Sequence, residues 1–178
     1  MAPKAPYQPS LLRLLHGGTA LVVIAMWLSG LVIYGHYDGR WFSLPWPHSI
    51  DLFSIHKALA TLLLPVAAGL LLYSFTIGSW RLRHPANAAM LLILALPSLS
   101  GLGMHRRWLV EKQLEHWVYH LHLLGWILLA LGLGWHLLGA LRRGGSGLIG
   151  SMLEVRLRAN DRPLDWPAQV TTWLKHRH

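Results

Sequence analysis

The sequence predicts an all-α protein, a bundle of four transmembrane helices with its N- and C-termini cytoplasmic, and three observations point there. Of the 178 residues, 53% are hydrophobic and 13% charged, against roughly 25% charged in a soluble domain. The apolar residues gather into four stretches, each long enough to cross about 30 Å of hydrocarbon. The basic residues, which give a net charge of +9, lie mostly between and after those stretches, as topology signals do. A nucleic-acid footprint would instead be a basic face on a soluble fold. Membrane lipid is the expected surrounding, and nucleic acid is not an expected partner. The chain has no cysteine, which excludes disulfides, iron–sulfur clusters, thiolate zinc sites and covalent c-type haem attachment.

The first stretch, residues 11–34, follows Lys4 and carries Arg13 at its start. It is longer than the roughly 7–15 apolar residues of a signal peptide and reads as a spanning helix. The second, residues 51–78, opens on Asp51 as an N-cap and contains Pro65, an expected kink. The third, residues 87–104, is the shortest and contains Pro97. The fourth, residues 115–141, ends at an Arg142-Arg143-Gly-Gly stop. With the N-terminus inside, the inner side collects Lys4, Arg13, Arg81, Arg83, Arg142, Arg143 and the basic tail. The outer loops keep Arg40, Arg106, Arg107 and Lys112, with Asp38 and Glu111 among them. Trp41, Trp46 and Trp108 would sit at the outer interface and Trp80 at the inner one. The chain divides into a membrane domain, residues 1–143, and a polar basic tail, residues 144–178. The first part of the tail, LIGSMLEVRLR, is expected to lie along the inner membrane surface.

His122 and His136 stand fourteen residues apart in the fourth stretch. Fourteen residues turn a helix through about 1400°, about 40° short of four turns, so both imidazoles share one face about 21 Å apart. His16 lies near the inner start of the first stretch and His56 near the outer start of the second. The pairs His16–His136 and His56–His122 therefore match in depth. One intramembrane histidine alone can serve as a helix-to-helix hydrogen-bonding group. Four at two matched depths point to two non-covalent, bis-histidine haems b, with inner iron on His16 and His136 and outer iron on His56 and His122. His120 is the alternative to His122 if the helix is locally distorted. Gly125 and Gly132 lie near the histidine stripe, where they would admit a macrocycle or a neighbouring helix, and Gly30 shares the face of His16 at the outer depth. No Asp or Glu lies deep in a stretch, which argues against a carboxylate-based proton pump.

The helix openings R-L-L-H and I-H-K, the A-L-P-S-L-S-G-L-G-M of the third stretch and the H-x13-H of the fourth together resemble the bacterial cytochrome b561 family. That family is related to the b-type subunits of nickel–iron hydrogenases. The resemblance covers residues 11–143. Gly17 stands where an aromatic residue commonly follows the first histidine, and only Arg81 is placed to act as the arginine often found near the inner end of the second helix. The resemblance implies a multi-pass protein of a bacterial-type inner membrane that carries two haems b on His16, His56, His122 and His136. It also implies electron transfer between the quinone pool and an outer donor or acceptor, which in one branch is superoxide. The alternatives are a membrane-anchor subunit serving a redox partner protein, and a haem-free transporter or scaffold using its histidines as a proton relay. Arg106, Arg107 and Lys112, with Lys57 beside His56, predict an electropositive outer mouth.

Overall fold

The computed structural model describes residues 7–45 and 50–175. Lys4, Trp46, His48, His176 and His178 lie outside them. Helix α1 (Ser10–Ile33) continues into a π-helical turn (Tyr34–Asp38), and α2 runs Leu52–Phe75. A 3-10 turn (Ser79–Arg83) leads to α3 (Pro85–Leu102), followed by the short α4 (Arg106–Val110). Helix α5 (Trp117–Leu153) is the longest, and α6 (Trp166–Lys175) closes the chain after a 3-10 turn (Pro163–Asp165). Four of these helices are long and apolar enough to cross a membrane. Their exposed leucines, among them Leu21, Leu72, Leu92 and Leu131, suit a lipid surrounding and would be costly in water.

Local chemistry sets the ends. Asp51 caps α2 by accepting from the backbone N–H of Phe53 and Ser54. Pro85 opens α3, where its missing N–H costs nothing. Pro65 and Pro97 sit inside α2 and α3. The fourth spanning helix does not stop at residue 141 but runs on to Leu153, broken at Gly145 (φ 60°, ψ −159°). That conformation is essentially open to glycine alone, so the Gly-Gly pair bends the helix where the sequence suggested an end. The π-helical turn draws the Asp38 side chain fully out of solvent against Arg40, 2.7 Å away, and the Tyr119 hydroxyl also donates to it. A buried carboxylate therefore does exist, at the end of α1 and not deep within a span.

The helices associate as two pairs, α1 on α2 and α3 on α5, which touch each other sparingly. Close approach within the pairs comes from small residues. A Cβ on Gly69 would lie 3.0 Å from Leu15, and one on Gly125 would lie 2.9 Å from the ring and backbone nitrogen of Pro97. A Cβ on Gly132 would meet Ile93 at 2.7 Å. The clearance that Gly125 and Gly132 leave is thus taken up by α3, the second of the two uses their position allowed. Between the pairs, Trp27 of α1 and Trp126 of α5 stack at 5.0 Å, and each indole N–H donates to the other's carbonyl at 3.3 and 3.2 Å. Buried side chains cluster at the two ends of the bundle. Ile33, Tyr34, Leu52, Leu109, Tyr119 and Leu123 gather at one, and Leu12, Leu70 and Tyr73 at the other.

The tail folds back on the start of α1. Pro9, the residue before α1, offers no side-chain cap; Asp161 supplies one from afar by accepting from Ser10 N at 2.8 Å and Ser10 Oγ at 2.9 Å. Tyr7 donates to the same carboxylate, and Trp166 donates to Ser10 Oγ at 2.9 Å. Arg13 reaches the carbonyls of Glu154 and Arg156, and Met152 packs on the Leu12–Leu70–Tyr73 cluster. The segment expected along the membrane surface is therefore tied to the bundle end, where described residues of the tail meet the start of α1. Burial acts to raise the Asp161 carboxyl, but hydrogen bonds from Tyr7 and Ser10 outweigh it and hold the group below the ordinary value of 3.8. A depressed folded value means the tie is at full strength above about pH 4 and is lost as pH falls through the folded value. Asp161→Ala should cost about 1–3 kcal/mol, since it strands buried donors. The readout is limited proteolysis, which should cut residues 155–175 faster in the variant; equal cutting rates would deny the tie.

Candidate functional site

The spans bring the four sequence-predicted histidines together two by two. His16 on α1 and His136 on α5 have ring centroids 6.1 Å apart with planes 30° from parallel. His56 on α2 and His122 on α5 stand 6.3 Å apart with planes at 81°. All four rings are half-buried. The fourteen-residue spacing on α5 sets the pairs about 21 Å apart along its axis. His120, the alternative to His122, is solvent-exposed and adjoins Tyr119. His116 precedes α5 and stacks on Trp108 at 4.0 Å. Among the described residues, no group of three or more His, Asp or Glu side chains could hold a free metal ion.

The pairs can be tested for fit to a shared metal atom. Metal–imidazole bonds of about 2.0–2.1 Å, with the ring centre about 1.1 Å behind its nitrogen, put two rings sharing one metal about 6.2–6.4 Å apart. The observed 6.3 Å falls within that span and the observed 6.1 Å lies 0.1 Å short of it. A cavity next to the second pair is lined by Met26, Trp27, His56, Pro97, His122 and Trp126. A Cβ on Gly30 would stand 3.6 Å from His56 Cε1, an ordinary contact, so Gly30 lies beside that ring. His136 Nδ1 is buried without a hydrogen bond of normal geometry, although the Ala86 carbonyl lies beside the ring. The donor set and spacing fit haem iron ligated on both sides.

Sequence reasoning missed three residues here. Ser29 Oγ lies 2.8 Å from His56 Nδ1, and Ser100 Oγ lies 3.2 Å from His122 Nδ1. A Cβ on Gly101 would come within 3.2 Å of His122 Cε1. Ser100 and Gly101 fall in the A-L-P-S-L-S-G run, whose pairing of small polar residues opposite a histidine was the available signal. Ser29 carries no such mark.

At the end holding His56 and His122, each arginine has an acidic neighbour. Arg40 pairs with Asp38, Arg106 with Asp51 at 3.4 Å and Arg107 with Glu111 at 3.9 Å. Lys112 donates to the Tyr37 carbonyl. Hydrogen bonds from Ser54 hold the Asp51 carboxyl below its ordinary value, with Arg106 adding to the effect. Glu115 lies nearby in sequence, so the electropositive mouth read from the cations alone is largely neutralised by carboxylates. At the other end, burial lowers Arg81, whose guanidinium reaches Gln8 at 2.9 Å and covers the Trp80 ring.

Four long apolar helices that carry two facing imidazole pairs define a multi-pass helical membrane protein. The family model of prokaryotic cytochrome b561 matches residues 7–154, and the chain belongs to that family. Neither curated proteins nor solved structures gave a match. The family typically binds haem b, and membership implies membrane electron transfer with lipid and redox partners. This sets the haem-free transporter reading aside.

Proposed function

We propose that this chain is a transmembrane di-haem cytochrome that passes electrons between the quinone pool and a donor or acceptor at the opposite membrane face. His16 and His136 hold the inner iron, and His56 and His122 the outer. Residues 1–143 carry the haems, residues 144–178 form the tail, and both termini are cytoplasmic. The observation that carries the reading is the centroid spacing of 6.1 and 6.3 Å at two depths. Haem held between such imidazoles would supply a one-electron couple that suits outer-sphere transfer over oxygen chemistry. The chain's own task is to fix the rings, exclude water and set the local field. The excess of Arg and Lys at the end where the tail meets the start of α1 supports the orientation. Pyridine haemochrome quantification on the purified protein should give two haems b per chain. A ratio near one removes one pair, and a ratio near zero ends the reading.

Superoxide is a candidate outer donor in this reading. Because Arg106 and Arg107 are paired with carboxylates, long-range steering of an anion is weak. Neutralising both arginines should change haem reduction by superoxide less than about threefold, with a shallow salt dependence. Stopped-flow rates at two ionic strengths decide it, and a steep fall with salt would restore the electropositive mouth. A second reading, a membrane-anchor subunit for a redox partner protein, is favoured by the exposed Leu164 of the 3-10 turn before α6 and Leu174 on α6. Co-purification of a larger redox subunit would support it.

A further inference from the structure

The two histidine pairs differ in how their rings are held. Ser29 Oγ and Ser100 Oγ face the Nδ1 atoms of His56 and His122. Each hydroxyl also has a carbonyl of its own helix to serve. Ser29 Oγ lies 3.0 Å from the Met26 carbonyl oxygen, and Ser100 Oγ lies 2.7 Å from that of Leu96. A hydroxyl has one proton and two lone pairs, whereas a carbonyl only accepts. With the serine proton on its carbonyl, the hydroxyl presents a lone pair to the ring. The ring atom facing it therefore carries hydrogen, and the neutral imidazole keeps its bare lone pair at Nε2. The Pro97 carbonyl also lies beside the His122 ring. At His136, among the described residues, no serine hydroxyl hydrogen-bonds the ring; the Ala86 carbonyl lies beside it, and Nδ1 forms no hydrogen bond of normal geometry.

We infer that Ser29 and Ser100 are positioning residues of the outer site: they fix His56 and His122 as Nδ1–H tautomers, present both Nε2 atoms for ligation and hold the two rings crossed. The inference rests on the bis-histidine reading of that pair. The crossing is 81° against 30° at the other pair. Gly101, close against His122 Cε1, leaves the ring room to turn toward Ser100. An N–H donated to an acceptor makes the imidazole a stronger donor through Nε2. Stronger donation favours the oxidised metal, so the serines lower the outer potential. Ser29 Oγ lies nearer its ring than Ser100 Oγ, 2.8 against 3.2 Å, so Ser29 carries the larger share.

The test uses the purified holoprotein with Ser29→Ala, Ser100→Ala and the double variant, alongside Ser29→Thr and Ser100→Thr, which keep the hydroxyl. Haem stoichiometry, potentiometric titration and the electron paramagnetic resonance of the oxidised protein are read together. Crossed imidazole planes bring the iron orbitals of π symmetry close in energy and give a low-spin signal with one very large g value. Near-parallel planes split those orbitals and give an ordinary rhombic signal. The alanine variants should keep two haems, with one potential raised and the large-g signal displaced. In the double variant the reduced-to-oxidised ratio of that haem at fixed potential should rise about tenfold, 59 mV for one electron, and the second haem should not move. Ser29→Ala should shift more than Ser100→Ala, and the threonine variants should stay near the parent. Loss of one haem in an alanine variant but not in its threonine counterpart also supports the role. Unmoved potentials and signals, equal shifts of both haems, or loss of the haem in the threonine variants as well would overturn it. A parent protein without haem, or a His56→Ala variant that keeps both haems, would overturn the bis-histidine reading itself.

Discussion

His136→Ala is expected to lower the haem content from two per chain to one, and His16→Ala to remove the same haem. His56→Ala and His122→Ala should each remove the other. The reason is geometric. The ring spacing of each pair, 6.1 or 6.3 Å, suits two imidazoles that would hold one iron between them, and removal of either takes away half of what would hold a non-covalent group. Redox titration of the four variants should therefore sort them into two classes, the members of each sharing the surviving potential. His120→Ala should leave both haems in place, because that ring is exposed to solvent. If His120→Ala loses a haem and His122→Ala does not, the register assigned to α5 is wrong.

Gly125→Val should be the most damaging change outside the ligands. The added Cβ would stand 2.9 Å from the Pro97 ring and its backbone nitrogen, and a proline inside a helix cannot rotate away. Overpacking at such a site costs about 1–3 kcal/mol, and here the strain falls on the α3–α5 contact. Pro97 also lines the cavity that holds His56 and His122, so the outer haem should shift in spectrum or be lost, with the inner one retained. Gly134→Ala is the control, because nothing lies within 4 Å of its added Cβ and alanine is the better helix former. Thermal unfolding and the reduced-minus-oxidised spectrum measure both variants. A Gly125→Val protein with parental stability and spectrum would show that α3 can retreat from α5.

The four spans were legible because hydrocarbon imposes a length and a composition that a sequence displays directly. The histidine pairing was legible for a similar reason. Helical rise and twist are fixed, so position along the chain converts to depth and face, and the partners His16–His136 and His56–His122 followed from depth alone. The Asp51 cap was readable because it is local. Beyond that the sequence was silent wherever a contact joins distant segments. Ser29 lies 27 residues from His56, and only the docking of α1 on α2 brings its hydroxyl to that ring. Asp161 caps a helix that begins 151 residues earlier. Gly125 and Gly132 had two uses, and which one holds depended on where α3 lies.

The sequence by itself determined the number of spans, the depths of the four imidazoles and the kind of group they suit, since each follows from a periodicity or a length that solvent and helix geometry enforce. Only the tertiary structure decided which side chains orient those imidazoles, that α5 bends at Gly145 and runs on to Leu153, and that the tail is fastened to the start of α1. It also decided that the arginines beside the outer pair are met by carboxylates. Each of these depends on the rotation and approach of whole helices. That balance is struck by packing across the bundle, and no local stretch of sequence encodes it.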